Sequence, residues 1–210
     1  MNKPIIILGA GSIGKSAMEA FASNEVIVYG FLDDDALLEG KEIGDVEVMG
    51  KLDDQTYLSV IGNECEAFVA MEEIEVRRNL VQMLVEDRKV MPVNAIHDSA
   101  ILATSAEIGH GNFIGAGVII GSYSELKNHL IINPAAVINH DVKLGNYVQI
   151  GAGSVINSGV EIEDEVFVGS GVTIVSGIKI GSGARIGAGS VVIKKVDEGQ
   201  TVFGNPAEPV

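Results

Sequence analysis

Of the four histidines in this chain, one stands out by its neighbours. It is His140, followed by Asp141, within Asn133-Pro134-Ala135-Ala136-Val137-Ile138-Asn139-His140-Asp141. Imidazole titrates near neutrality, and an adjacent carboxylate can orient it and raise its basicity, so the pair suits general-base work. The bland alternative is an inert surface histidine. A second constellation is Gly9-x-Gly11-x-x-Gly14, placed between an apolar run at 4–8 and a helix-forming stretch at 15–23. Glycines there permit a tight turn and close backbone approach, and the helix N-terminus offers N–H groups to a pyrophosphate. About twenty residues on, Asp33 and Asp34 close a second apolar run, where acids accept hydrogen bonds from a ribose or base. They also read as solvated loop acids. Three occupants of the glycine loop stay open: a dinucleotide such as NAD, a nucleotide-diphosphate sugar, or no ligand at all.

The elements that must position these residues fall into two patterns. Residues 4–88 alternate apolar runs (4–8, 26–32, 67–70) with helix-forming stretches (15–23, 53–61, 76–86). That alternation predicts a small Rossmann-like α/β domain with a parallel sheet over residues 1–90. Only about 85 residues precede the next pattern, too few for a complete two-half dinucleotide fold.

From Ile96 to Val192 every sixth residue is Ile, Leu or Val without exception. Four residues after each aliphatic the side chain is mostly small or β-branched, as at Val118, Ala136, Val142 and Ser154, and one residue after it glycine is common, as at Gly115, Gly121, Gly151 and Gly169. A period of six fits neither helix nor hairpin; it fits a parallel β-helix with three flat faces, each hexapeptide giving a short strand and a corner. The aliphatic is expected to point inward, and the glycine to relieve strain at the corner. The phase never slips, so residues 91–210 form an all-β domain of about five and a half coils stacked at strand spacing. On an 18-residue coil, the gaps of 13, 19 and 11 residues between His97, His110, His129 and His140 bring no three together, and no metal site is expected.

Composition narrows the partners. Fourteen basic against 29 acidic residues give a net charge of -15, which excludes an electrostatic footprint for nucleic acid or an anionic membrane. An anionic ligand must be held by local backbone N–H groups. The single cysteine, Cys65, leaves no internal disulfide, no apolar stretch is long enough to span a membrane, and a cytoplasmic protein is expected.

In their order along the chain, the Gly-rich α/β domain, the Phe31-Leu32-Asp33-Asp34 strand end, the stretch from Ile132-Asn133 to His140-Asp141, the unbroken hexapeptides and the closing Val202-Phe203-Gly204-Asn205-Pro206-Ala207 resemble a known family. It is that of the hexapeptide-repeat acetyltransferases that modify nucleotide-linked 4-amino sugars in bacterial glycan synthesis, with a sialic acid O-acetyltransferase branch. The resemblance implies a left-handed β-helix, a homotrimer, and acetyl-CoA as co-substrate in the groove between adjacent β-helices. It implies His140 as general base and Asp141 as the acid that raises its basicity. Gly11, Ser12 and Ile13 match the phosphate loop, and Asp33 and Asp34 the nucleoside contacts. Ser158, one coil beyond His140, matches a backbone oxyanion donor, and Ser170 and Ala188 match contacts to the pantetheine arm. Two positions depart from the family pattern: Glu72 follows Ala70-Met71 where relatives place a glycine near the sugar nucleotide, and Gln149 replaces a histidine that touches acetyl-CoA. The implied reaction is direct acetyl transfer to a sugar amine. The alternatives are O-acetylation of sialic acid, an amino acid or another small alcohol, and a non-catalytic nucleotide-binding trimer.

Overall fold

Ile5–Leu8 is buried along its whole length, as a central strand of a parallel sheet must be, and forms β1 of the computed structural model. The structure describes residues 3–210, which divide into two compact units, one ending at Asp98 and one spanning Ser99–Val210. In the first unit β1 is flanked by parallel strands β2 (Val28–Leu32) and β5 (Glu66–Val69). Beyond β2 lies β4 (Val46–Gly50), paired at the edge with a short antiparallel β3 (Glu42–Ile43). The helices are α1 (Ser12–Ala22), α2 (Gln55–Leu58) and α3 (Ile74–Glu86). On one side of the sheet Phe21 of α1 meets Phe68 edge to face, ring centroids 5.9 Å apart. Leu58, Val81 and Leu84 from α2 and α3 pack with Ile6, Leu8 and Leu32 in the other layer.

Three features differ from the sequence expectations. The β3–β4 hairpin, turning through Gly44 at φ +60°, had no strong alternation to mark it. The stretch at 53–61 yields only the four residues of α2, capped where the Asp54 carboxylate accepts from the Thr56 N–H at 2.8 Å. The stretch up to Asp98 belongs by contact to the first unit, because Asn24 Nδ2 donates to the Ile96 carbonyl (2.8 Å) and the Asp98 N–H to Ser23 Oγ (3.0 Å).

The second unit is a parallel β-helix of two-residue strands whose register advances 18 residues per coil, as in Val137↔Val155, Lys143↔Glu161 and Gln149↔Phe167. The second residue of each strand points inward, and from Ile114 onward this column is buried, Ile138, Ile150, Ile156 and Ile174 completely. Outward residues give each face its own chemistry. One face carries Ile101, Ile119, Val137, Val155, Thr173 and Val191 and is apolar apart from a threonine. The next carries Glu107, Glu125, Lys143, Glu161 and Lys179 and is charged. The third is mixed, with Phe113, Ile131, Gln149, Phe167 and Arg185, the last seated over the Phe167 ring at 4.8 Å.

The glycines serve the corners in two ways, and the column singled out in the sequence is not the strained one. Gly121, Gly151 and Gly169, each just after an inward aliphatic, do not have positive φ; a Cβ on Gly121 would lie 2.6 Å from the His140 nitrogen in the next coil. They provide clearance between coils. The left-handed residue stands two positions further on, and from Gly111 to Gly189 it recurs at every corner. Tyr123, His129, Ala135, Asp141, Tyr147 and Glu165 occupy that conformation with a side chain.

Candidate functional site

In the first unit the glycine loop is built from three distinct requirements. Gly9 turns at φ +114°, and a Cβ there would lie 2.9 Å from the Ala70 carbonyl oxygen. Gly14 lets α1 press on the loop, since a Cβ would collide with the Gly9 carbonyl. Gly11 faces open space, with nothing within 4 Å of a Cβ placed on it. It is the N-cap of α1, makes no side-chain cap, and the first turn carries no acid. The N–H groups of Ser12 and Ile13 thus remain at a positive helix terminus, which is what a phosphate requires.

The two aspartates after β2 divide their work. Both carboxylate oxygens of Asp33 are taken within the chain: Oδ2 accepts from the Ala10 N–H at 2.7 Å and Oδ1 from the Asp35 N–H at 2.9 Å. Asp33 thereby ties the glycine loop to the end of β2. Asp34 is exposed and accepts from the Leu52 N–H through Oδ1 at 3.1 Å. It opens on a cavity of about 320 Å³ lined by Leu52, Leu58, Val76, Leu80 and Met83, with Asn79 and Gln55 among the polar groups. Glu72 is exposed in the loop after β5. Arg77, not singled out in the sequence, is 1% exposed and donates through Nη1 to the Met71 carbonyl at 2.8 Å, fixing that loop from below. A helix-phase reading that places a charge among Val81 and Leu84 was the available signal.

In the second unit, His140 is exposed at the corner between the apolar and charged faces. Its Nδ1 lies 3.0 Å from Asn139 Oδ1 and 3.1 Å from Ser158 Oγ of the next coil. Its carbonyl accepts from the Gly159 N–H at 3.2 Å, and the Asp141 N–H donates to the Ser122 carbonyl at 3.0 Å. Asp141 is held in the left-handed region at φ +57°, where most corners of the later coils use glycine. Within the chain the ring's Nδ1 is met by Asn139 and Ser158, and Asp141 is its neighbour without bonding to it. Asn139 was not singled out in the sequence, although it precedes the histidine directly.

Ser158 is brought to His140 by the 18-residue coil. Ser170 and Ala188 stack one coil apart on a different corner, between the mixed and apolar faces, and both are exposed. Gln149 projects from the mixed face, half-buried between Ile131 and Phe167. At these corners the flanking N–H groups bond along the stack, Gly159 to His140, Gly171 to Ala152 and Gly189 to Ser170. The middle amides, those of Ser158, Ser170 and Ala188, have no acceptor among the described residues. A ligand with a chain of amide and carbonyl groups fits such a track, and an oxyanion fits the Ser158 amide beside the imidazole.

The other histidines are elsewhere. His110 and His129 sit at the third corner, where His129 is buried and stacks on Tyr147 at 5.0 Å. Asn128, Asn146 and Asp164 form a ladder of side-chain hydrogen bonds there. No group of three or more His, Cys, Asp or Glu among the described residues could hold a metal ion. Burial pushes the Cys65 thiol above its ordinary range, with Glu64 adding to the effect, and Cys65 lies in the α/β unit.

Residues 4–84 match the family described as PglD N-terminal domain, and residues 123–158 and 159–194 each match Bacterial transferase hexapeptide (six repeats). Among solved structures, the acetyltransferase domain of PglB from Neisseria gonorrhoeae is 30% identical over 100% of both chains, with a TM-score of 0.91. The same domain has been solved in complex with acetyl coenzyme A. A variant of GDP-perosamine N-acetyl transferase from Caulobacter crescentus, in complex with CoA and GDP-perosamine, is 28% identical over 99% of this chain and 96% of that one, with a TM-score of 0.90. WeeI from Acinetobacter baumannii is 27% identical over 99% of both chains, with a TM-score of 0.87. No curated protein matches the sequence.

Proposed function

The chain belongs to the hexapeptide-repeat sugar acetyltransferase family, and we propose that it transfers the acetyl group of acetyl-CoA to the amine of a nucleotide-diphosphate-linked 4-amino-4,6-dideoxy sugar. The observation that carries this reading is the end-to-end likeness, at 28% identity, to an N-acetyl transferase solved with CoA and a nucleotide-linked amino sugar. The geometry of both units supports it. The uncapped N-terminus of α1, with Gly11, Ser12 and Ile13, receives the diphosphate. Asp34, exposed beside its cavity, contacts the nucleoside, with Asp33 bracing the loop and Glu72 lying near the sugar.

His140 carries the chemistry. The sugar nitrogen attacks the thioester carbonyl; the C–N bond forms, the C–S bond breaks, and His140 takes the amine proton and returns it to the departing thiolate. General-base assistance of this kind is typically worth about 10²–10⁴-fold. Asp141 supplies a negative charge beside the imidazolium as it forms. The Ser158 N–H receives the oxyanion, while Gln149, Ser170 and Ala188 hold the acetyl-CoA. Direct transfer needs no covalent enzyme intermediate, and Cys65 is buried in the α/β unit.

The apolar face supports a homotrimer. Ile101 and Ile119 remain 64% and 41% exposed in one chain, next to a face made of Glu and Lys. A second copy covers such a stripe at the least cost, and the corners carrying His140 and Ser170 flank it on either side, so packing there completes the site between subunits. No helix among the described residues is long and apolar enough to cross a membrane. One free, buried cysteine fits a reducing compartment, and we place the reaction in the cytoplasm, with a product that feeds glycan assembly.

The test is CoA thiol release with acetyl-CoA and a panel of nucleotide-linked 4-amino sugars, with His140→Ala alongside. Turnover on one sugar is expected, falling by about a hundredfold or more in the variant. A loss below tenfold with the fold intact removes His140 as base. Silence on every amine, with acetyl-CoA still bound, moves the acceptor to an alcohol; absence of acetyl-CoA binding leaves a non-catalytic nucleotide-binding protein. Light scattering at micromolar concentration should give three chains, and a monomer would overturn the assembly.

A further inference from the structure

We infer that Asn139 fixes the tautomer of His140 and so decides which ring nitrogen accepts the proton; the catalytic half of this inference rests on His140 being the base. The backbone N–H of His140 lies 3.0 Å from Asn139 Oδ1. A backbone N–H only donates, so the atom it meets is the amide oxygen of Asn139, which settles the orientation of an otherwise symmetric-looking amide. The same oxygen lies 3.0 Å from His140 Nδ1. An amide oxygen only accepts, so Nδ1 carries the hydrogen and Nε2 carries the lone pair. Ser158 Oγ of the coil above, 3.1 Å from Nδ1, is a hydroxyl that can donate or accept, so it is compatible with this tautomer and Asn139 alone selects it.

Asn139 is itself held in place. Its N–H donates to the Ile156 carbonyl at 2.9 Å, and its carbonyl accepts from the buried Ser124 hydroxyl at 2.7 Å. The backbone that carries the acceptor is therefore anchored to the coils on both sides before any ligand arrives. It is also neutral, so it selects the tautomer without adding charge, leaving the electrostatic role to Asp141. Asn139 acts through the imidazole and is a positioning residue.

The experiment is a two-bond 1H–15N correlation spectrum of the full-length protein labelled at histidine, with His140 assigned by its disappearance in His140→Ala. With the ring neutral, His140 should show the Nδ1–H tautomer. Asn139→Leu should give a mixture of tautomers and lower kcat by more than about tenfold, with the acetyl-CoA KM within about threefold of the parent. Asn139→Asp keeps an acceptor for both N–H groups and should retain the tautomer and most of the rate. An Nε2–H tautomer in the parent protein overturns the inference, as does Asn139→Leu with spectrum and kcat unchanged. Should Asn139→Leu fail to fold, the parent and Asn139→Asp spectra still decide. If His140→Ala stays active while the Nδ1–H tautomer is found, the base assignment falls and the tautomer assignment stands.

Discussion

Gly121 lies in the coil beneath the corner that carries His140, the proposed base, and replacing it with alanine should separate positioning from stability. A Cβ there would lie 2.6 Å from the His140 nitrogen, 2.7 Å from the Asn139 carbonyl carbon and 3.0 Å from its oxygen. Non-bonded carbon and nitrogen atoms settle near 3.5 Å, so the corner must lift by roughly 0.9 Å to admit the methyl group. The coil below is braced by its inward Ile120, 1% exposed, so the displacement falls on Asn139 and His140. Misplacement of a catalytic group by about 1 Å costs on the order of 10²-fold in rate, and overpacking costs about 1–3 kcal/mol in stability. The control is Gly145→Ala at the third corner, where a Cβ would lie 2.6 Å from the Asp164 nitrogen, away from the imidazole. Thiol-release kinetics and urea unfolding should show similar stability losses in the two variants. Only Gly121→Ala should lose kcat by about a hundredfold, with the acetyl-CoA KM little changed. A kcat within twofold of the parent in Gly121→Ala, despite lost stability, would refute the claim that corner position controls the chemistry.

Two further expectations concern the rest of the chain. Cys65 is buried with its thiol pushed toward protonation, so a thiol-specific chromogenic reagent should label it slowly in the native protein and rapidly in denaturant; fast native labelling would contradict its burial. Glu163 is held below the usual carboxylate range by hydrogen bonds from Lys179 and Ser182, while Lys179 is raised by Glu163. For a lowered carboxylate pKa, the stabilisation is present above its unfolded value and lost as pH falls through the folded one. Thermal unfolding of Glu163→Gln should therefore differ slightly from the parent at neutral pH and converge with it in acid, and high salt should shrink the difference because both groups are exposed. A difference that grows toward acid would reverse the assignment.

The amino-acid order by itself determined most of the architecture. A strict six-residue recurrence of Ile, Leu and Val is met by a three-faced coil that turns all of them toward one interior. Once the coil is 18 residues, the stacking of His140 with Ser158, and of Ser170 with Ala188, follows by position alone. Likewise Gly9, Gly11 and Gly14 between an apolar run and a helix specified a loop that could meet a phosphate. What needed the tertiary structure were the choices made between atoms of different coils or elements. Asp33 and Asp34 look equivalent in the chain, yet Asp33 spends both oxygens on Ala10 and Asp35 while Asp34 faces a cavity. The common glycine column looked like relief of strain, and proved to be clearance for the next coil, with the left-handed φ two residues away. His140 has Asn139 on one side and Asp141 on the other; only the turn of the chain through Asp141 at φ +57° and the hydrogen bonds of the neighbouring coils decide that Asn139 meets the ring. Periodicity fixes how far residues rise along the stack. Hydrogen bonds also depend on direction, and direction at a corner is set by the sign of φ and by the backbone of the coil above.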